Sequence, residues 1–324
     1  MATTSAYLEE AARRLWSQDT FSFLPNRQLP PAPEEPTRTG DGPQVIFTGF
    51  PSEFSLAFLY KLLTLDVQLV GIITSPSAHP AILGDTALSR IAEHLDIPLL
   101  RLWHINDDHS YLDIKALEPE AVVMASFNQI VRSRVLSTAP QGWLNVHPSM
   151  LPAYRGPEPI YWAISEGATT TGITLHRAVP KFDAGPILAQ EAVPIEADDT
   201  AGTLTRRLAA AGTAILPEAV AKLLRGDPGR VPDLGQATYR SSVGHRLLTR
   251  AATAVEAERM VRAGVPNMRA WLELDDHPVY VSQARVGADG HRGVEFADGF
   301  LQVLDVHETC GCHHDVADCP HREQ

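Results

Sequence analysis

Cysteine is scarce in this chain: the three that are present all lie near the C-terminal end, at Cys310, Cys312 and Cys319. No apolar run approaches the length of a membrane-spanning helix. The N-terminal segment also lacks the basic and then apolar order of a secretory signal. These absences predict a cytoplasmic protein that does not insert into a membrane.

Basic residues are also fewer than acidic residues. The chain has 27 basic and 39 acidic residues, which gives a net charge of −12. This balance disfavours general binding to nucleic acids or to membrane surfaces. A hydrophobic content of 44% and a length of 324 residues are typical of a globular protein with one large or two modest domains.

A glycine-rich nucleotide loop is missing after the first predicted strand, where Gly49–Phe54 contains one glycine and a proline. A nicotinamide-dependent dehydrogenase is therefore the weakest functional reading. Apolar strands and amphipathic helices nevertheless alternate, which predicts an α/β fold with a Rossmann-like, mostly parallel sheet covered on both faces. The predicted strands are Val45–Phe47, Val67–Thr74, Pro98–Leu102 and Ala121–Ser126, and the predicted helices are Ser55–Leu65 and Leu83–Leu95.

The pattern divides the chain into three parts. Residues 1–43 form an extension, with a short amphipathic helix at Ser5–Trp16 and a proline-rich linker from Leu24 to Pro43. We expect an ordered wrap without a catalytic role, and a contact in a homodimer is the functional alternative. Residues 44–228 form the α/β domain. Residues 229–324 form a small β-rich subdomain with one helix, Ala251–Ala263, and short strands.

The segment from Asn145 to Gly156 carries the clearest chemistry. Asn145 and His147 lie two residues apart, so on a strand both side chains point to the same face. Pro148 follows and ends the ladder of hydrogen bonds. An amide and an imidazole at a strand's exit can hold an oxygen that becomes negative during acyl transfer. Taken alone, the pair fits a structural histidine equally well.

Three ordered blocks extend this motif. They are Asn145–Ile164, Thr171–Leu188 and Asp198–Leu204. The first block contains His147, and the second contains Asp183 followed by Gly185 and Pro186. Together they resemble the signature of the N10-formyltetrahydrofolate-dependent formyltransferases, a family whose members act on glycinamide ribonucleotide, methionyl-tRNA, amino sugars or ornithine-type amines. The resemblance covers residues 44 to 225 and fades after Tyr239.

This resemblance implies the catalytic machinery. Asn145, His147 and Asp183 match the family's catalytic trio, which stabilises the formyl oxygen and moves protons between the attacking amine and the leaving nitrogen. His147 would serve best when protonated, because a charged donor bonds more strongly, and a neighbouring carboxylate would raise its pKa. Asp183 is the candidate carboxylate. Its proximity is implied by the resemblance and not by its distance along the sequence.

The resemblance also implies a slot for the folate co-substrate, lined mainly by backbone. One matching loop runs from Phe127 to Val131, and a second runs from Lys181 to Gly185. The candidate folate-binding residues are Phe127, Asn128, Gln129, Ile130, Ser149, Met150, Leu151 and Pro152. Glu158 could meet the ammonium group of an acceptor, or it could be a carboxylate at the start of a helix.

The cysteine-rich tail has no counterpart in the family pattern. Thiolates and imidazoles at close spacing are typical of structural zinc sites, although the spacing matches no standard finger. A disordered polar terminus is the alternative. The candidate ligands are Cys310, Cys312, Cys319 and His321.

The sequence therefore predicts formyl transfer to a small-molecule amine, either an ornithine-like side chain or an amino-sugar nucleotide. Nucleic acid is not expected as a partner, because Ser75–Asp85 contains no lysine or arginine. The corresponding loop of tRNA-acting relatives is long and basic. Methionyl-tRNA formyltransferase and formyltetrahydrofolate hydrolase stay open as alternatives. A non-enzymatic folate- or metal-binding regulator is disfavoured because the trio is intact.

Overall fold

The computed structural model describes residues 42–76, 86–267, 269–274, 277–287 and 293–308. The predicted helix at Ser5–Trp16, most of the proline-rich linker and the cysteine-rich tail lie outside these residues. The chain forms two compact units. The first contains the chain up to Arg155 together with Gly172–Ala192 and Arg206–Thr238, and the second contains the remainder. The predicted domain boundaries at residues 43 and 228 stay predictions.

A seven-stranded sheet organises the first unit, with strand order β3-β2-β1-β4-β5-β6-β7. The first five strands are mutually parallel, and β6 runs antiparallel to β5. The mostly parallel Rossmann-like sheet is thus confirmed. The strands are β1 Gln44–Gly49, β2 Gln68–Thr74, β3 Leu99–Arg101, β4 Ala121–Ala125, β5 Gly142–His147, β6 Thr170–Arg177 and β7 Ile187–Pro194.

Six helices connect or flank these strands in the described chain: α1 Glu53–Leu62, α2 Thr86–Leu95, α3 Asp108–Ala116, α4 Ser133–Leu136, α5 Pro159–Ser165 and α6 Ala201–Leu224. Helix α1 begins where the Ser52 hydroxyl accepts a hydrogen bond from the backbone N–H of Ser55, which satisfies one free donor of the first turn. Helix α6 packs closely against α1: a Cβ added at Gly212 of α6 would lie 2.5 Å from the ring of Phe58 in α1.

Both faces of the central strands are buried, as the apolar run Ala121–Ala125 predicts. One face packs against α3, α4 and the loops around them through a cluster that includes Ile46, Val122 and Trp143. Helix α3 falls in a segment that reads as polar from its sequence. It forms because Asp107 caps its first turn through the backbone N–H of Ser110, and because Ile114 is buried in this cluster.

The second unit contains a five-stranded sheet of order β11-β12-β10-β9-β8. Its strands are β8 Arg246–Leu247, β9 Ala270–Leu274, β10 His277–Gly287, β11 Gly293–Phe296 and β12 Gly299–His307. Helix α7, Ala254–Gly264, packs on this sheet, and its start is a capping box between Thr253 and Glu256. The predicted β-rich C-terminal subdomain is confirmed. Within the described parts of the chain, no helix is both long enough and apolar enough to span a bilayer.

Candidate active site

Strand β5 carries the two residues of the Asn-x-His motif at its carboxyl end. Asn145 is opposite His176 of β6, and β5 ends at His147. Because side chains alternate along a strand, Asn145 and His147 share a face. The carboxyl ends of the parallel strands lie at the same edge, where open α/β sheets bind their ligands.

Asp183 is brought to the same place by the loop that follows β6. Its Oδ1 lies 3.6 Å from Nδ1 of His147 and 3.6 Å from Nε2 of His176. Nδ2 of Asn145 donates to the same oxygen over 3.2 Å. The side chains of His147 and Asp183 are only 6% and 10% exposed. The three residues that the sequence selects as a trio therefore converge in one buried cluster.

The hydrogen-bond partners fix the proton positions of both imidazoles. Nδ1 of His176 lies 3.0 Å from the carbonyl oxygen of Arg177, which can only accept, so Nδ1 carries the proton. In the neutral ring Nε2 is then an acceptor, and Asn145 donates to it over 3.0 Å. Both hydrogens of the Asn145 amide are therefore directed at acceptors, one at His176 and one at Asp183.

His147 has the opposite tautomer. Its Nε2 lies 2.8 Å from the carbonyl oxygen of Tyr154 and must donate to it. In the neutral ring the lone pair of Nδ1 faces Asp183, at a distance longer than a hydrogen bond. This nitrogen can accept a proton, and the carboxylate beside it can then stabilise the imidazolium that results.

The sequence predicts that a carboxylate beside His147 raises the pKa of its imidazole, and this is one of several influences on that pKa. Burial lowers the pKa of His147 below its ordinary value, although the Asp183 carboxylate and the bond to the Tyr154 carbonyl both raise it. The charges of His176 and Arg155 lower it further. The family resemblance gave Asp183 as the candidate carboxylate, and the sequence could not show the desolvation that outweighs its effect on the pKa of His147.

The first predicted folate loop is held by two amides. Gln129 donates to the Ser75 hydroxyl and the Leu102 carbonyl, and it accepts from the backbone N–H of Ile105. Asn106 donates to the Ile130 carbonyl and accepts from the backbone N–H of Arg132. The side chain of Gln129 is thus used within the protein. Asn128 and Ile130 are exposed, and Phe127 stays half-buried with its ring centroid 6.4 Å from that of Phe50.

The Ser149–Pro152 segment is also built into the fold. The buried Ser149 hydroxyl donates to the Ala153 carbonyl, and Leu151 is buried. The Thr174 hydroxyl donates to the Ser149 carbonyl and accepts from the backbone N–H of Leu151. Only Met150 and Pro152 of the four candidates keep partial exposure. Any recognition by this segment would therefore depend on its backbone and on these two side chains.

Two further sets of candidates were named from the sequence, Glu158 and the tail residues. Glu158, in the second unit, forms an ion pair with Arg269 and accepts from the backbone N–H of Val243 over 2.9 Å. The tail residues Cys310, Cys312, Cys319 and His321 lie outside the described residues, so their metal site stays a prediction. Among the described residues, no group of three or more metal-ligating side chains is found.

His176 is the residue that the sequence reading did not single out. It is buried, and its Nε2 accepts a hydrogen bond from Asn145. The same nitrogen lies 3.6 Å from Oδ1 of Asp183, as Nδ1 of His147 does. The signal was present in the sequence, because His176 closes the second motif block. Its importance depends on β6 running antiparallel beside β5, which the residue pattern alone does not show.

Comparison with known proteins bears on the family of the chain. Residues 65–220 match the model of a family described as formyl transferase. A methionyl-tRNA formyltransferase from Roseiflexus sp. (strain RS-1) is 36% identical over 259 residues, which cover 76% of this chain and 78% of the relative. The chain belongs to the formyltransferase family. It is an enzyme that transfers formyl groups.

Solved structures of this family share the fold. A sugar N-formyltransferase from Shewanella sp FDAARGOS_354 superposes with a TM-score of 0.58 at 19% identity, covering 74% of this chain and 97% of that chain. An N-formyltransferase from Helicobacter canadensis, solved with folinic acid and dTDP-3-aminofucose, gives a TM-score of 0.58 at 16% identity. That alignment covers 82% of this chain and all of the Helicobacter chain. At these identities the likeness concerns the fold.

Proposed function

We propose that this formyltransferase moves the formyl group of N10-formyltetrahydrofolate to the primary amine of a small-molecule acceptor. The observation that carries the proposal is the buried convergence of Asn145, His147 and Asp183 at the carboxyl end of β5. Formyl transfer needs a proton acceptor for the attacking amine, a proton donor for the leaving nitrogen, and stabilisation of the negative charge on the carbonyl oxygen.

His147 acts as the proton carrier in this proposal. Its Nε2–H is held by the Tyr154 carbonyl, so Nδ1 receives the proton of the attacking amine. The lowered pKa favours the neutral ring that this step requires. Once Nδ1 is protonated, Asp183 is 3.6 Å away and stabilises the imidazolium until the proton passes to the leaving nitrogen.

Asn145 supplies hydrogen bonds to the formyl oxygen. Its amide is oriented as a donor by two acceptors, His176 and Asp183, so it does not have to rotate when charge develops. The oxygen would take over one of these two N–H groups. The protonated Nδ1 of His147 adds a charged donor, which bonds about twice as strongly as a neutral one.

The folate donor fits the chemistry of the two loops near this edge. The segment from Phe127 to Ile130 is fixed by Asn106 and Gln129, so its backbone groups are held for recognition of a flat heterocycle. The helicobacterial structure with folinic acid supports the same class of ligand. This chain's own residues would bind the ring and exclude water, and the formyl group itself comes with the donor.

A small acceptor is favoured by the distribution of charge. Ser75–Asp85 contains no basic residue, and the net charge is −12. In the second unit, three arginines are neutralised in ion pairs, as Arg240 pairs with Glu166, Arg262 with Glu258 and Arg269 with Glu158. A protein that binds tRNA neutralises many backbone phosphates with lysine and arginine side chains. An amino-sugar nucleotide or an ornithine-like amine fits this surface better than a tRNA does.

Methionyl-tRNA is the second candidate acceptor. The observation that favours it is the Roseiflexus relative, which is 36% identical over 259 residues of this chain. A tRNA acceptor would bind through phosphate contacts, and its affinity would fall steeply with added salt. The two candidates therefore differ in a measurable way.

An acceptor screen tests the proposal. Purified protein is incubated with N10-formyltetrahydrofolate and with dTDP-amino sugars, ornithine derivatives or methionyl-tRNA, and tetrahydrofolate release is followed by absorbance. We expect release only with a small amine, at a rate that changes little between 50 and 200 mM salt. Efficient, salt-sensitive formylation of methionyl-tRNA would contradict a small acceptor and support methionyl-tRNA instead. Release at an equal rate without any amine would identify a hydrolase.

We also propose a structural zinc ion in the C-terminal tail, bound by Cys310, Cys312, Cys319 and His321. Four protein ligands would leave no open position for catalysis. Elemental analysis of untagged protein should give about one zinc per chain, as expected for a closed site. Chelation or a Cys312→Ser substitution should lower thermal stability without changing the chemistry of the trio. Well under one metal per chain, with unchanged stability in the variant, would contradict this site.

A further inference from the structure

Arg155 is a buried cation beside the trio. Its side chain is among the buried polar groups, with 8% exposure. Nε donates to the carbonyl oxygen of Phe182 over 2.8 Å, and Nη2 donates to the same oxygen. Its own backbone N–H is bound by the Thr238 carbonyl. No carboxylate in the described part of the chain forms an ion pair with this guanidinium. Burying a charge without an ion-pair partner costs free energy, and this cost points to a role for the side chain.

The carbonyl that Arg155 holds is the one directly before Asp183. Asp183 has a φ of 43°, in the left-handed region that non-glycine residues adopt only when their surroundings fix it. The Phe182–Asp183 peptide plane sets where the Asp183 side chain points. Two N–H groups on its oxygen lock that plane. The Asp183 carboxylate thereby stays 3.6 Å from both His147 and His176.

The charge of Arg155 acts on the same cluster. The titratable and charged groups that face His147 are Asp183, His176 and Arg155, and Arg155 contributes to the lowered pKa of the imidazole. A fixed cation also disfavours a second positive charge nearby. The attacking amine has a free lone pair only when it is neutral. A buried guanidinium therefore favours the reactive form of both the base and the nucleophile.

We propose that Arg155 is a positioning residue for formyl transfer: it holds the Phe182 carbonyl, orients the Asp183 carboxylate toward His147, and supplies fixed positive charge beside the site. This inference rests on the proposed function. Arginine is suited to the task because its planar fork places two N–H groups on one oxygen and stays charged at every working pH.

Two variants separate geometry from charge. Arg155→Met removes both, and Arg155→Lys keeps the charge but replaces the fork with an ammonium group. Arg225→Met is the matched control, because Arg225 is an exposed arginine of the same unit with a side chain 59% exposed. For each protein we would measure kcat, the KM for donor and acceptor, the pH dependence of kcat, and the melting temperature.

We expect Arg155→Met to lower kcat about 30-fold or more, with smaller changes in either KM, because the loss is one of orientation. Its acid limb should lie at higher pH than that of Arg155→Lys, since only Arg155→Met also removes the cation that lowers the pKa of His147. Arg155→Lys should lower kcat about 10-fold and move the acid limb to lower pH, because a displaced Asp183 carboxylate no longer raises the pKa of His147. Wild-type kcat in Arg155→Met, or an unchanged pH profile with activity lost only in step with melting temperature, would overturn the proposal.

A second measurement is independent of turnover. The titration of His147, followed by NMR of the labelled imidazole, should move to lower pH in Arg155→Lys, lie at higher pH in Arg155→Met than in Arg155→Lys, and stay unchanged in Arg225→Met. This shift is expected even if no amine in the screen is formylated, so the failure of this inference is distinguishable from the failure of the proposed function. In folded proteins, an unmoved His147 titration in Arg155→Lys contradicts the positioning part, and equal titrations in Arg155→Met and Arg155→Lys contradict the electrostatic part.

Discussion

Replacing His147 with alanine should lower kcat/KM for amine-dependent formyl transfer by about 100-fold or more, the range expected when a general acid–base group and an oxyanion donor are lost together. The physical reason is that Nδ1 of His147 faces Asp183, and that the neighbouring His176 has the opposite tautomer. His176 cannot substitute, because its Nδ1 proton is held by the Arg177 carbonyl and its Nε2 already accepts from the Asn145 amide.

The measurement needs a control for folding. His109→Ala is suitable, since His109 is an exposed residue of α3 in the same unit. It should keep wild-type kcat/KM. Asn145→Ala and Asp183→Asn should each cause a loss comparable with that of His147→Ala. A double variant should lose less than the product of the single losses, because residues that act as a unit are not additive. Wild-type turnover in a folded His147→Ala protein would rule out the mechanism.

The sequence predicted much of the fold because the strands carry uninterrupted apolar runs. The run Ala121–Ala125 is buried throughout and forms β4, as predicted. The helix Asp108–Ala116 was not predicted, because it presents little apolar surface and depends on the Asp107 cap. The antiparallel direction of β6 also lay beyond the pattern, since periodicity gives the faces of a strand and not its direction.

The candidate site was predictable in composition but not in electrostatics. Residue identities and order were enough to select Asn145, His147 and Asp183, because the family resemblance links positions that are distant in sequence. The direction of the pKa shift of His147 was not predictable in this way. It depends on how completely His147 is buried and on the Tyr154 carbonyl at its Nε2, and both follow from tertiary packing. The positions of His176 and Arg155 beside His147 also follow from tertiary packing.

Replacing Gly185 with alanine should displace residues of the buried cluster. A Cβ at this position would lie 1.7 Å from the carbonyl oxygen of Arg177, which is far inside contact distance and involves backbone on both sides. Either the Arg177 carbonyl or the loop that carries Asp183 must move. The Arg177 carbonyl accepts from Nδ1 of His176, and Asp183 is two residues before Gly185. Each movement therefore displaces a member of the buried cluster.

The expected result is a loss of about 100-fold in kcat/KM, since a displacement of about 1 Å at a catalytic group has that effect. Overpacking of this kind should also lower the free energy of unfolding by about 1–3 kcal/mol, measured by urea denaturation. Gly287→Ala is the matched control, because a Cβ at Gly287 would meet nothing within 4 Å. It should change neither quantity by much.

The two readouts together locate the effect of Gly185→Ala. If activity falls while the variant stays folded at the assay temperature, the loss comes from the geometry of the Asp183 loop. The titration of His147 should then also move to lower pH, because a displaced carboxylate no longer raises its pKa. If activity stays within about twofold of wild type, as for a substitution that leaves the catalytic geometry intact, the loop can relax without moving Asp183. The close approach of Gly185 to Arg177 would then have no part in holding the trio.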